Sequence, residues 1–154
     1  MTVPATLYEE DFYAWTQVQA RLLAARQFAA LDIPNLVEEI TSLGKSEQRE
    51  LANRLSPLLE HLLKLAMAAQ HLPHALQRAG RGWRATVTTQ RLRVAQGLRD
   101  NPSLRPTVPR TLTDAYAIAR VDAAVELHLE EAMLPERCPW TVEQVLDASF
   151  WPDA

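Results

Sequence analysis

Residues 31–70 read LDIPNLVEEITSLGKSEQRELANRLSPLLEHLLKLAMAAQ, the longest helical pattern in the chain. Asp32, ahead of Ile33-Pro34, supplies an acidic N-cap, and a proline is tolerated in a first turn. Leu36, Ile40 and Leu43 fall on one face. After Gly44 and the polar run Lys45–Glu50, the leucines at 51, 55, 58, 62 and 65 step by four, three, four and three. That spacing is a seam for packing against another helix. Leu59, Leu63 and Ala66 widen it enough for two neighbours. Two residues oppose continuity, since a glycine costs about 1 kcal/mol against alanine in a helix and a proline about 3 kcal/mol. The expectation is a break or redirection near Gly44 and a kink near Pro57. If Lys45–Gln70 stays continuous it spans roughly 39 Å, about the diameter of a globule of this length.

The other segments read as partners for that seam. Tyr8, Phe12, Trp15, Val18 and Leu22 share one face over Tyr8–Arg26, with Glu9, Glu10 and Asp11 where a helix N-terminus favours anions. His71-Leu72-Pro73-His74 is a break, and Gly80-Arg81-Gly82 is the clearest loop signal. Trp83–Asp100 follows as a helix with Trp83, Val87, Val94 and Leu98 on one face, and Arg91 on that same apolar face. Asn101-Pro102-Ser103 stops it. Thr111–Glu131 is the next helix, its inner row Leu112, Tyr116, Ala119, Ala123 and Leu127. Thr141-Val-Glu-Gln144 is a capping box, so a short helix over Val142–Ala148 is expected, with Phe150 and Trp151 docking behind it. No alternating strand pattern persists. The fold class expected is all-α: one helical-bundle domain over residues 1–154, with about four main helices and short terminal helical additions.

Composition excludes several classes. The chain of 154 residues, 47% apolar and 23% charged, reads as globular. Its single cysteine, Cys138, rules out an internal disulfide framework and a multi-thiolate metal site. No apolar run approaches the roughly 18 residues of a membrane span, and the N-terminal residues lack the basic and apolar regions of a signal peptide. A cytoplasmic location without membrane partners is the expectation. Charge is unevenly spread. Between Arg78 and Arg110 eight arginines face one acid, Asp100, although the whole chain is formally −3. This points either to an anionic partner or to arginines neutralised within the fold, and the second is the simpler expectation.

LYEEDFYAWT near the start, LDIPNLVEEITSLGKSEQRELANRL, LLEHLLKL, then GWRAT and NPSL, and late CPWTVEQVLD together resemble the bacterial domain-of-unknown-function family twenty-nine. The similarity runs in order from Leu7 to about Pro152. The resemblance implies an all-helical bundle, found mainly in bacteria and especially cyanobacteria, often in many copies per genome. It implies no known reaction. The family tends to carry an aromatic after the HLLK block, where this chain has Leu65.

Chemistry-bearing patterns are sparse. A carboxylate-bridged di-metal bundle needs Glu-x-x-His on two helices, and no Glu-x-x-His occurs. No metal ligand set and no cofactor motif is expected, and four dispersed glycines make no phosphate cradle. The polar residues nearest the seams are Glu38, Glu39, His61, Lys64, Arg91, Tyr116 and Arg120. Gathered into a pocket, they would offer His61 or a glutamate as general base and Arg91 as an anion holder. The plainer reading is a buried charge network, Arg91 pairing with Glu38 or Glu39, because an unpaired buried guanidinium costs several kcal/mol. Glu60 and Lys64 read as an ordinary helical pair. Arg78, Arg81, Trp83 and Arg84 around the Gly80/Gly82 loop form a candidate anion or nucleic-acid contact, arginines for phosphates and the indole for a base. The leading expectation is a non-enzymatic helical interaction module that binds a protein partner or itself. A nucleic-acid-associated accessory protein comes second, and a small-molecule enzyme using Glu38, His61 and Arg91 third.

Overall fold

The computed structural model describes residues 7–153, all of whose regular structure is helical. The chain divides into two compact units, residues 1–46 and 47–154. The helix α3 (Ile33–His71) runs through the boundary.

The first unit holds α1 (Leu7–Glu10), α2 (Phe12–Ala24), a 3-10 turn (Phe28–Ala30) and the start of α3. The single helix expected over Tyr8–Arg26 is divided at Asp11, whose side chain turns back to accept from the Ala14 amide at 3.0 Å and caps α2. The aromatic face survives the division. Tyr8 and Phe12 pack on Trp15 with ring centroids 4.9 and 5.6 Å away. Asp32 ties this layer to α3. Its carboxylate accepts from the Trp15 indole at 3.0 Å and the Asn35 amide at 2.8 Å, and its backbone amide donates to Gln19 Oε1 at 2.9 Å.

No break occurs at Gly44, and the helix continues through Pro57: α3 is helical for 39 residues. Leu55, Leu58, Leu59 and Leu62, which surround Pro57, are all fully buried. At about 1.5–3 kcal/mol per buried leucine, packing outweighs the roughly 3 kcal/mol that proline costs. The Gly44 penalty of about 1 kcal/mol is likewise too small to end a helix so strongly nucleated beyond it.

In the second unit the rest of α3 packs with α4 (Pro73–Asp100), α5 (Val108–Leu127) and a C-terminal strap carrying α6 (Val142–Leu146). Leu72 alone links α3 to α4, and Pro73 takes the first helical position, where its missing N–H is no loss. The loop expected at Gly80–Gly82 is helix instead. Gly80 is buried, and a methyl group there would meet Leu76 Cδ1 at 3.0 Å, so this glycine serves close packing rather than a turn. Val87, Val94 and Leu98 of α4 are buried as their spacing requires. Ala115, Ala119, Ala123 and Ala124 line the inner side of α5.

Two helices stop without glycine. At Arg26 (φ 60°) and His128 (φ 55°) the chain turns left-handed. Gln27 N then donates to Leu22 O and Arg26 N to Leu23 O. Leu129 N and His128 N repeat the pattern with Ala124 O and Val125 O. This paired bonding satisfies the last carbonyls of each helix, and it ends α5 four residues before the expected Glu131. In α6 the capping box forms in both directions, Gln144 N to Thr141 Oγ1 at 3.1 Å and Thr141 N to Gln144 Oε1 at 3.0 Å. Asp147 then accepts from the Ser149 amide and hydroxyl, which ends α6 before Ala148.

Candidate functional site

Four of the residues singled out from the sequence, Arg84, Arg91, Tyr116 and Arg120, act as fasteners for the strap. Arg91, buried on α4, donates from Nε to Val145 O at 2.8 Å and from Nη2 to Gln144 O at 3.3 Å. Its partners are therefore α6 carbonyls, and not the carboxylates of Glu38 or Glu39 that the sequence suggested. Tyr116 donates its hydroxyl to Pro135 O at 2.5 Å. Arg120 holds Glu131 Oε1 at 2.7 Å, Glu131 O at 3.0 Å and Leu134 O at 3.3 Å. Arg84 pairs with Asp153. Arg84 and Arg91 both pack on the Trp151 ring, their guanidinium carbons 4.9 and 5.1 Å from its centre. Backbone carbonyls carry no residue signature, which is why no sequence pattern pointed to them.

The remaining residues separate. Glu38 is exposed, and Glu39 accepts from the Tyr8 hydroxyl, which pushes the Tyr8 pKa up to about 12. His61 donates its Nδ1 proton to Pro57 O at 2.7 Å, the carbonyl one turn earlier. Burial holds its pKa below the usual histidine value, so the neutral ring is favoured. Lys64 bonds Glu60 at 3.0 Å and lies 5.7 Å from the Trp83 ring centre. With side chains only 7% and 17% exposed, this is a sheltered pair and not the ordinary surface one its spacing suggested. Trp83 packs against the core and Arg84 against Trp151, while Arg78 and Arg81 stay exposed on α4.

A cavity of about 650 Å³ lies between α5 and the strap and is lined by Leu112, Tyr116, Cys138, Trp140 and Val142 among others. Its two titratable core groups are both held neutral. Burial raises the Tyr116 pKa to about 12 and pushes the Cys138 thiol up as well. A thiol held protonated is a poor nucleophile. Two smaller cavities are lined by arginines. Arg54 and Arg93 border one with Glu47 and Glu50, and Arg91, Arg99 and Arg105 border the other. Among the described residues no three His, Cys, Asp or Glu side chains gather as a metal ligand set, and no helix is long and apolar enough to cross a membrane.

No curated protein and no solved structure matches the chain. The model of a family described as domain of unknown function DUF29 matches residues 7–151, with its all-helical core and its strap, and the chain belongs to that family.

Proposed function

We propose that this is a bacterial, cytoplasmic helical interaction module whose docking element is the apolar ridge at the start of α3. The supporting observation is the poor burial of the first unit. Its described residues bury only Trp15 and Gln19, yet Phe12, Tyr13, Leu23, Phe28, Ile33, Val37, Ile40 and Leu43 stand exposed. Ile33, Val37 and Ile40 sit four and three residues apart on one helix face, the spacing by which a groove or a second helix reads an amphipathic partner. From residue 41 to residue 50 every residue of α3 is exposed. Isolated helix of that length is marginal in water, and a contiguous exposed apolar patch marks an interaction surface.

Charge selects the kind of partner. Residues 1–46 carry six acidic side chains against Arg21, Arg26 and Lys45. The occupant best matched to the ridge is an amphipathic helix of another protein with Lys or Arg along its flanks. The test titrates the protein with a labelled synthetic helix of leucine and lysine, and with its leucine–glutamate counterpart. Binding of the basic helix, weakened about tenfold or more by Ile40→Asp, is the expected result. Equal affinity for both peptides, or unchanged binding by Ile40→Asp, overturns the reading. Sedimentation velocity that finds a dimer broken by Ile40→Asp assigns the ridge to a second copy instead.

Nucleic-acid association is the second reading, favoured by the exposure of Arg78, Arg81, Arg93, Arg99, Arg105 and Arg110. Fluorescence anisotropy with labelled single- and double-stranded nucleic acid at about 50 and 200 mM salt tests it, since phosphate contacts weaken steeply with salt. Salt-sensitive binding lost on Arg78→Glu/Arg81→Glu supports it, and no binding at the lower salt removes it.

A further inference from the structure

We propose that the cavity formed by the end of α4, the 3-10 turn Pro102–Thr107 and α6 binds a small phosphomonoester, with Arg91, Arg99 and Arg105 around the phosphoryl group. The cavity measures about 340 Å³, at the lower end of the roughly 300–1,000 Å³ usual for small-molecule sites. Its polar wall is wholly cationic. The other lining residues are Val94, Ala95, Leu98 and Leu146, and no carboxylate is among them.

The inner arginine is the informative one. Arg91 is 5% exposed, and the two carbonyls it meets satisfy two of its nitrogens without neutralising its charge. Nη1 has no hydrogen-bond partner. The carboxylate acting on Arg91 is that of Asp147, an exposed residue next to Leu146 that is already engaged with Ser149. A buried guanidinium with an orphan donor is costly, and a bound dianion would relieve that cost. Arg99 and Arg105 are exposed and form no ion pair among the described residues. Their charges are not spent within the fold.

The chemistry selects the ligand class. The guanidinium forks of Arg99 and Arg105, with the unpartnered Nη1 of Arg91, match the three terminal oxygens of a phosphoryl dianion better than the two of a carboxylate. Val94, Leu98 and Leu146 give the wall an apolar part suited to an organic body on the phosphate. This site is confined to the second unit and does not depend on the α3 ridge.

Isothermal titration calorimetry with phenyl phosphate, inorganic phosphate and benzoate is the test, carried out on the full chain. Phenyl phosphate is expected to bind tighter than inorganic phosphate, with benzoate weakest. Arg99→Gln and Arg105→Gln, both exposed and compatible with the fold, should each weaken phenyl phosphate about tenfold or more, as loss of a charge-assisted hydrogen bond does. Arg78→Gln/Arg81→Gln should leave it unchanged. Absence of phenyl phosphate binding at millimolar concentration overturns the proposal. So does an equal loss in the Arg78→Gln/Arg81→Gln control, which would reveal only general charge attraction. A single-stranded oligonucleotide that uses Arg99 and Arg105 and binds tighter than phenyl phosphate replaces the small ligand with nucleic acid.

Discussion

Arg91 Nε and the Val145 carbonyl oxygen lie 2.8 Å apart, joining α4 to α6 across 54 residues of chain. The bond is buried, and the same guanidinium packs on Trp151. One side chain thus fixes both the helix of the strap and its terminal aromatic. The strap is held by a few polar contacts added to the packing of Leu134 and Val145, in contrast to the leucine-dense α3 interface.

Arg91→Ala should therefore cost about 1–3 kcal/mol in urea denaturation, because it leaves the buried Val145 carbonyl without its donor, while Gln144 O keeps the Asp147 amide. The near-UV circular dichroism of the tryptophans should weaken with it. Arg91→Lys should recover only part of the loss, since an ammonium cannot reach two carbonyls with the planar fork. A loss for Arg91→Ala within about 0.5 kcal/mol, the range of ordinary surface changes, would show that packing alone holds the strap.

Gly82 and Gly80 should respond differently to alanine. Both lie inside α4, but a methyl group at Gly82 meets nothing within 4 Å, whereas at Gly80 it meets Leu76 at 3.0 Å. Gly82→Ala is expected to raise stability by about 1 kcal/mol. Gly80→Ala should gain distinctly less, because Leu76 must move aside. Denaturant midpoints with unchanged slopes would measure both.

His61 makes stability depend on pH. Its folded pKa is depressed, chiefly by burial, so between that value and the usual 6.5 the unfolded chain binds more protons than the native one. Stability from the neutral ring is fully present above 6.5 and is lost as pH falls through the folded pKa. Thermal midpoints at successive pH values should fall less for His61→Gln than for the parent protein over that window. Identical profiles would remove His61 as the cause.

His128 carries a backbone cost that glycine lacks. In the left-handed region a non-glycine residue loses roughly 1–2 kcal/mol, partly recovered in glycine by nothing more than its freedom from that clash. After the entropy glycine adds to the unfolded chain, His128→Gly should stabilise by about 0.5–1 kcal/mol. His128→Val should destabilise, since a β-branched residue tolerates positive φ worst. Chemical denaturation of the two variants would read the difference, and a loss for both would mean that the His128 side chain itself contributes.

Much of the helical layout was legible from residue spacing. The seam of leucines from Leu51 to Leu65 is buried as its period required, and Arg91 is buried on the apolar face where its register put it. The capping box at Thr141 marked the start of α6 because both of its bonds join residues three apart. Punctuation was harder to read. Gly44 suggested a break and Gly80–Gly82 a loop, and helix persists at both. The real stops at Arg26 and His128 carry neither glycine nor asparagine, the residues that usually mark a left-handed helix end.

The amino-acid order by itself determined the apolar seam from Leu51 to Leu65, the capping box of α6 and the sheltering of Arg91, because those follow from period and local bonding. Tertiary structure alone decided the partners. Arg91 meets the α6 carbonyls rather than a glutamate, Trp83 shelters beside Lys64, and Arg99 and Arg105 are brought to one cavity with Leu146. These outcomes depend on how helices distant in sequence pack. Burial terms of several kcal/mol overrule local preferences of about one.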